Sequence, residues 1–186
     1  PNNPTGAVAN KDFYCELIKY CEKNEIVLCN DAAYIEIISK NKKPISLLQY
    51  DEKKLNVEFG TLSKTYNMTG FRIGYVVGNK NILKALLKVK SNIDSSQFKP
   101  IQYAAVEAFS LSREYISSIR KIYDERRKIA QKILSEKNIK FYQGEGTFYI
   151  WCKVPKNYST NEFCEELLLD YGIVVTPGYA FGTGGE

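Results

Sequence analysis

Apolar side chains recur every three or four positions in "NKDFYCELIKYCEKN" (10–24), and the spacing predicts a helix with Phe13, Leu17 and Tyr20 or Cys21 on its buried face. The next run, "EIVLCND" (25–31), is short, apolar and closed by polar residues, which predicts a buried strand. Two further strands are predicted over "VEFGTLS" (57–63) and "RIGYVVG" (72–78), on either side of a segment that carries Lys64. Helical spacing returns in "NKNILKALLKVKSN" (79–92). Helices alternating with strands predict a layered α/β domain.

The pattern changes after residue 98. Pro100 can open a helix with Ile101, Ala104, Ala105 and Ala108 on one face, followed by a long charged amphipathic stretch from Tyr115 to about Lys137. "IKFYQGEGTFYIWCKVP" (139–155) predicts a hairpin-like pair of strands. "STNEFCEELLLDY" (159–171) predicts a helix opened by a Ser159 and Glu162 capping box, and "GIVVTPG" (172–178) predicts a last strand. The expected organisation is therefore an α/β part over 1–97 and a smaller α+β part over 98–186. Both ends, "PNNPTG" and "YAFGTGGE", read as loops cut in the middle, so the sequence is expected to be a piece of a longer polypeptide.

Composition narrows the functional classes. With 186 residues, 44% apolar and 25% charged, the chain can build a core. Its 26 Lys plus Arg against 21 Asp plus Glu are spread without a basic block, which argues against nucleic acid as a partner. No run is long enough to span a membrane and the start lacks signal-peptide features, so a cytoplasmic location is expected. The five cysteines lack C-x-x-C spacing and read as reduced core residues. There is no histidine, which removes most metal and triad chemistry; proton transfer near neutral pH must then use lysine, carboxylate, tyrosine or cysteine.

Three segments carry candidate chemistry. In "GTLSKTYNMTGFRIGY" (60–75), Lys64 follows a predicted strand, at the end of which open α/β sheets place their ligands. Thr61 and Ser63 add hydroxyls, Arg72 a fork of donors, and Gly60 and Gly70 close backbone approach, a set suited to a phosphate dianion. In "NDAAY", Asp31 ends an apolar run with Tyr34 three residues on; in "PNNPTG", prolines stiffen the loop around Asn3. Taken singly, a solvated lysine, a helix-capping aspartate and an ordinary turn explain them as well. Together they suit one ligand, pyridoxal phosphate, which needs an amine for its aldehyde, donors for its phosphate, a carboxylate for its ring nitrogen and hydrogen bonds to its phenolic oxygen.

At this point the sequence resembles the fold-type I, class I/II aminotransferases over essentially its whole length. "NNPTG", "DAAY", "SKTYNMTGFRIGY" and "TPGYAFG" fall in that family's order and approximate spacing. The resemblance implies that Lys64 forms the imine with pyridoxal 5'-phosphate and is the catalytic base, and that Arg72 binds the phosphate with help from Thr61 and Ser63. It further implies that Asp31 pairs with the pyridine nitrogen and that Asn3 and Tyr34 bond the phenolic oxygen. Thr61 stands where the family usually has Ser or Gly, and it keeps a hydroxyl. The implied fold is the second half of the large mixed-sheet domain plus most of the small domain. The implied partners are an amino acid, a 2-oxo acid and a second copy of the chain.

Within the family, "IQYAAVEAF", "GTFYIWCKVP" and "GIVVTPGYAFG" look most like the LL-diaminopimelate aminotransferases, with aspartate and related aminotransferases as the alternative. An effector domain of a transcription regulator and a pyridoxal phosphate C–S lyase are more distant alternatives. The family's substrate-carboxylate arginine is expected beyond Glu186 and further phosphate contacts upstream of Pro1, so these 186 residues alone are expected to be inactive.

Overall fold

The computed structural model describes residues 1–185. The first helix, α1, runs Lys11–Lys23 and is capped by Asn10, whose Oδ1 accepts from the Phe13 N–H at 2.9 Å. Its buried residues are Tyr14, Ile18 and Cys21, while Phe13 and Tyr20 are exposed. The expected face holds at Cys21 and is one residue out of place at Phe13 and Leu17. Two apolar stripes run side by side along this helix, and spacing alone does not choose between them.

Three strands follow: β1 (Cys29–Asp31), β2 (Val57–Thr61) and β3 (Gly74–Gly78). They form one mixed sheet in the order β1-β2-β3. β1 and β2 are parallel, with Cys29 opposite Val57 and Asp31 opposite Phe59, and β2 and β3 are antiparallel. β1 is shorter than "EIVLCND" predicts and is not the buried strand expected: Cys29 and Asp31 are exposed, as are Ile26 and Val27 ahead of it. The 28–58 loop system is held by buried polar groups. Glu58 accepts from Asn30 Nδ2 at 2.8 Å and from the Leu47 N–H at 3.0 Å, and Asn56 Oδ1 accepts from the Leu28 N–H at 3.1 Å. Leu47, fully buried, closes a cluster with Tyr14 and Ile18 that fastens α1 to this loop.

A one-turn helix, α2 (Leu62–Thr65), leaves β2 directly, and after β3 come α3 (Lys80–Ile93), α4 (Lys99–Ser110), α5 (Arg113–Glu136) and α6 (Thr160–Tyr171). α4 turns Ala105 and Ala108 into a cluster with Leu62 and Ile73, as its spacing predicts. α3 forms where expected but buries none of its residues, leaving Leu87, Val89 and Ile93 exposed. α6 opens with the predicted capping box: the Glu162 N–H donates to Ser159 Oγ at 3.2 Å and the Ser159 N–H to the Glu162 carboxylate at 2.9 Å.

Three further expectations change. "GIVVTPG" is not a strand: after Gly172 ends α6 in the left-handed conformation, Val174 is 81% exposed and no strand among the described residues pairs with it. The predicted hairpin shrinks to one antiparallel bridge, Phe141 to Cys152. Of the cysteines, Cys21 is buried but Cys29 and Cys152 are exposed; all five are free.

α5 buries two charged residues along with Ile116 and Ile119. Arg127 Nη2 meets Asp124 Oδ1 at 2.8 Å, with both side chains at most 6% exposed, and Lys128 meets Asp124 Oδ2 at 2.8 Å. Burial alone would raise the Asp124 pKa; the two cations overcome it and hold it below the usual carboxylate range. Its stabilising contribution is therefore complete above the unfolded value of about 3.9 and is lost as pH falls through the folded value. Asp124→Asn should cost ~3–5 kcal/mol near neutral pH and flatten the acid limb of the stability profile, measured by urea unfolding from pH 2 to 7. Leu47→Ala should cost ~2–5 kcal/mol in the same assay with no change in that limb.

Candidate active site

Lys64 lies in the first turn beyond β2. Thr61 is the N-cap of α2: its Oγ1 accepts from the Ser63 N–H at 3.1 Å. α2 buries Leu62, Ser63 and Thr65, which leaves Lys64 as the half-buried member of the turn. Its Nζ stands 5.8 Å from the Tyr34 ring centroid and 5.5 Å from that of Phe148. Two aromatic walls therefore flank the ammonium, at cation–π distance.

Parallel pairing brings the second half of the site alongside. Asp31 is the last residue of β1, opposite Phe59, and the ladder continues one step with the Ala32 N–H donating to the Phe59 carbonyl at 2.8 Å. β1 and β2 thus deliver Asp31 and Lys64 to the same, carboxyl-terminal, edge of the sheet. Asp31 is exposed; Oδ1 accepts from the Ala33 N–H at 3.2 Å, and Oδ2 has no hydrogen bond among the described residues. A cleft of about 610 Å³ runs along the free side of β1, lined by Asn2, Tyr14, Asn30, Asp31 and Leu47; it reaches Asp31 but not Lys64.

Tyr34, 8% exposed, packs edge-on against Phe148 and Tyr149, and its hydroxyl is 3.0 Å from that of Tyr149. Burial first, then the Tyr149 hydroxyl and the charge of Asp31, push its pKa well above the ordinary phenol value. Asn3 is exposed, follows the cleft-lining Asn2 and precedes a cis peptide bond to Pro4; its side chain makes no hydrogen bond among the described residues. The turn bonds of its loop come from Asn2, whose Oδ1 accepts from the Thr5 hydroxyl at 2.7 Å. The loop is fastened near the aromatic wall instead, where the Gly146 N–H donates to the Gly6 carbonyl at 2.9 Å.

The expected anion donors differ in how free they are. The single Thr61 hydroxyl proton is taken up within the chain, with the Ile73 carbonyl at 3.1 Å and Ser63 Oγ at 3.0 Å. Ser63 keeps its own proton for a ligand. Arg72 is exposed, with φ at 52°, and spends one guanidinium N–H on the Thr69 carbonyl at 3.1 Å, so most of its fork is open. Gly60 serves packing rather than ligand approach, because a Cβ there would strike the Tyr75 ring; Gly70 has nothing within 4 Å of such an atom. An amine between aromatic faces, an unpaired carboxylate oxygen at the same sheet edge, a phenol and an open guanidinium are the groups that pyridoxal phosphate requires.

Phe148 and Tyr149 were not among the residues singled out for chemistry. They lie 84 and 85 positions after Lys64, and their aromatic run reads as an ordinary strand. The signal that could have marked them is the "GEGT" that precedes them, a turn sequence inside an apolar stretch.

Raised phenol pKa values make stability fall at alkaline pH: the unfolded tyrosine ionises near 10 while the folded one resists, so stability is complete below about pH 10 and is lost above it. Tyr34→Phe should remove part of that alkaline slope, read as the change in thermal midpoint between pH 9 and 11.

The pattern of the family described as aminotransferase class I and II matches residues 1–186. Among curated proteins, the LL-diaminopimelate aminotransferase of Natranaerobius thermophilus is 49% identical over 187 residues, and that of Aquifex aeolicus 44%; each alignment covers 100% of this chain and 48% of the relative. The chain thus spans about half the length of these relatives. Among solved structures, apo-BacF from Bacillus subtilis aligns with a TM-score of 0.94 at 34% identity, covering 100% of this chain and 48% of that one. A probable N-succinyldiaminopimelate aminotransferase from Thermus thermophilus aligns with a TM-score of 0.92 at 32% identity, covering 100% and 50%.

Proposed function

The chain belongs to the aminotransferase class I and II family, and from that premise we propose that the whole protein moves amino groups between an amino acid and a 2-oxo acid with pyridoxal phosphate. We take LL-diaminopimelate as its amino donor, in keeping with the names of the relatives at 38–49% identity. Residues 1–97 would belong to the cofactor domain and 98–186 to the interdomain helices and small domain of a cytoplasmic homodimer.

The observation that carries this reading is the delivery of Asp31 and Lys64 to one sheet edge by parallel strands, with Tyr34 between them in sequence and against Lys64 in space. When bound, the cofactor supplies a protonated pyridine ring that draws electrons from the α-carbon of the amino acid. Asp31, whose Oδ2 has no hydrogen bond among the described residues, would keep that ring nitrogen protonated, because an adjacent carboxylate favours the charged form. Lys64 Nζ would hold the aldehyde end of the cofactor and, as a free amine, would carry the α-proton of the amino acid. Ser63 and Arg72 would bind the phosphate, with Thr61 capping the turn that carries Ser63. The Tyr34 hydroxyl and Asn3 would orient the phenolic oxygen, while Phe148 would shield the amine from water.

The test is the absorption spectrum of the full-length protein with and without Lys64→Ala. The imine band should vanish in the variant, together with LL-diaminopimelate-dependent transamination; a band that persists unchanged would overturn the role of Lys64. Arg72→Ala should weaken cofactor affinity ~10-fold or more, as expected for a lost charge-assisted bond of ~1.5–3 kcal/mol, measured by titrating the cofactor into apoprotein.

A further inference from the structure

The two aromatic walls of Lys64 come from distant segments, and neither is part of the sheet. Tyr34 lies in the loop that follows β1, and Phe148 in the segment after α5. These segments meet in a short ladder behind the walls. The Thr147 N–H donates to the Ile37 carbonyl at 2.7 Å, the Ser39 N–H to the Glu145 carbonyl at 2.8 Å, and Ile38 bridges Gly146 in antiparallel fashion.

One side chain holds both strands of that ladder from α5. Arg127 Nη1 donates to the Thr147 carbonyl at 3.1 Å and Nη2 to Ser39 Oγ at 2.8 Å. Nη2 also meets Asp124, which fixes the guanidinium in place. A planar fork with donors in fixed directions can make all three contacts at once, whereas a lysine ammonium on a flexible stem cannot match them. The ladder also contains a conformation that needs support. Thr147, 1% exposed, has φ at 60°, a left-handed backbone that a β-branched residue adopts only when its surroundings impose it. The next residue is Phe148.

We propose that Arg127, anchored by Asp124, is a positioning residue for Lys64. By tying the Ser39 end of the Tyr34 segment to the Thr147 end of the Phe148 segment, it sets the distance between the two rings and so the cover over the Lys64 amine. Arg127 touches no reacting atom and acts through Phe148. This inference rests on Lys64 being the working amine.

The test uses full-length apoprotein, stripped of any bound cofactor, and reads the acylation rate of Lys64 at fixed pH by peptide mass spectrometry, relative to that of solvent-exposed Lys137. Arg127→Lys and Phe148→Leu should each raise the Lys64 rate about two- to five-fold, the loss expected when cation–π contacts of ~0.5–1 kcal/mol are released. The double variant should match Phe148→Leu alone, because the two act on one contact. If Arg127→Lys fails to fold, Ser39→Ala, which removes the clamp's bond to the Tyr34 segment, replaces it with a rise in the same direction. A lowered thermal midpoint with an unchanged Lys64 rate would reduce Arg127 to a structural role, and a double variant whose effect is the product of the two singles would break the link through Phe148. Because the readout needs no cofactor, it stands apart from the imine band: loss of that band's assignment would leave these rates as they are, and the converse.

Discussion

With Cys29 opposite Val57 in a parallel register, β1 and β2 leave the sheet on the same side, and every other feature of the site depends on that. A carboxylate and an amine separated by 33 positions are delivered to one edge by backbone hydrogen bonds, before any side chain is considered. A register slip of one residue would turn Asp31 to the other face of the sheet and separate it from Lys64. The buried polar network from Glu58 to Asn30 and Leu47 resists such a slip, because those bonds are satisfied in one alignment only.

Around this edge the protein adds pieces that local structure could not supply. The one-turn helix that carries Lys64 is too short to be stable by itself, so Thr61 caps it and Leu62 anchors it in the cluster under α4. The aromatic walls arrive by loops, and their closeness depends on the Arg127 clamp from α5. The longest helix of the described residues thus reaches the site through Ile119 and Tyr123, which pack with Tyr34 and Phe148, and through a buried charged pair. Such a pair contributes little net stability by comparison with an apolar core, but its geometry is specific.

The α/β alternation, the long amphipathic α5 and the Ser159 capping box were legible because each is written in local spacing. Lys64, Asp31 and Tyr34 could be singled out as a candidate set because their neighbours carry a recognisable family text. What escaped depends on contacts distant in sequence. The buried stripe of α1 is chosen by Leu47, 29 positions past Ile18, and not by the helix itself. "GIVVTPG" has the composition of a strand, yet a strand needs an edge to pair with, and none of the described residues provides one. Phe148 looked like half of a hairpin and became a wall of the site because Arg127 and Thr147 bend the chain there, an effect no propensity scale contains.

Arg72 has a consequence of another kind. Its left-handed backbone costs an L side chain ~1–2 kcal/mol that glycine would not incur. Selection for thermostability alone would therefore favour glycine at this position and discard the guanidinium that the proposed phosphate site uses. Thr147 carries the same tension. Libraries of this protein screened only for resistance to heat should drift toward well-folded molecules that have lost their ligand, so an engineer must screen for cofactor retention and folding together.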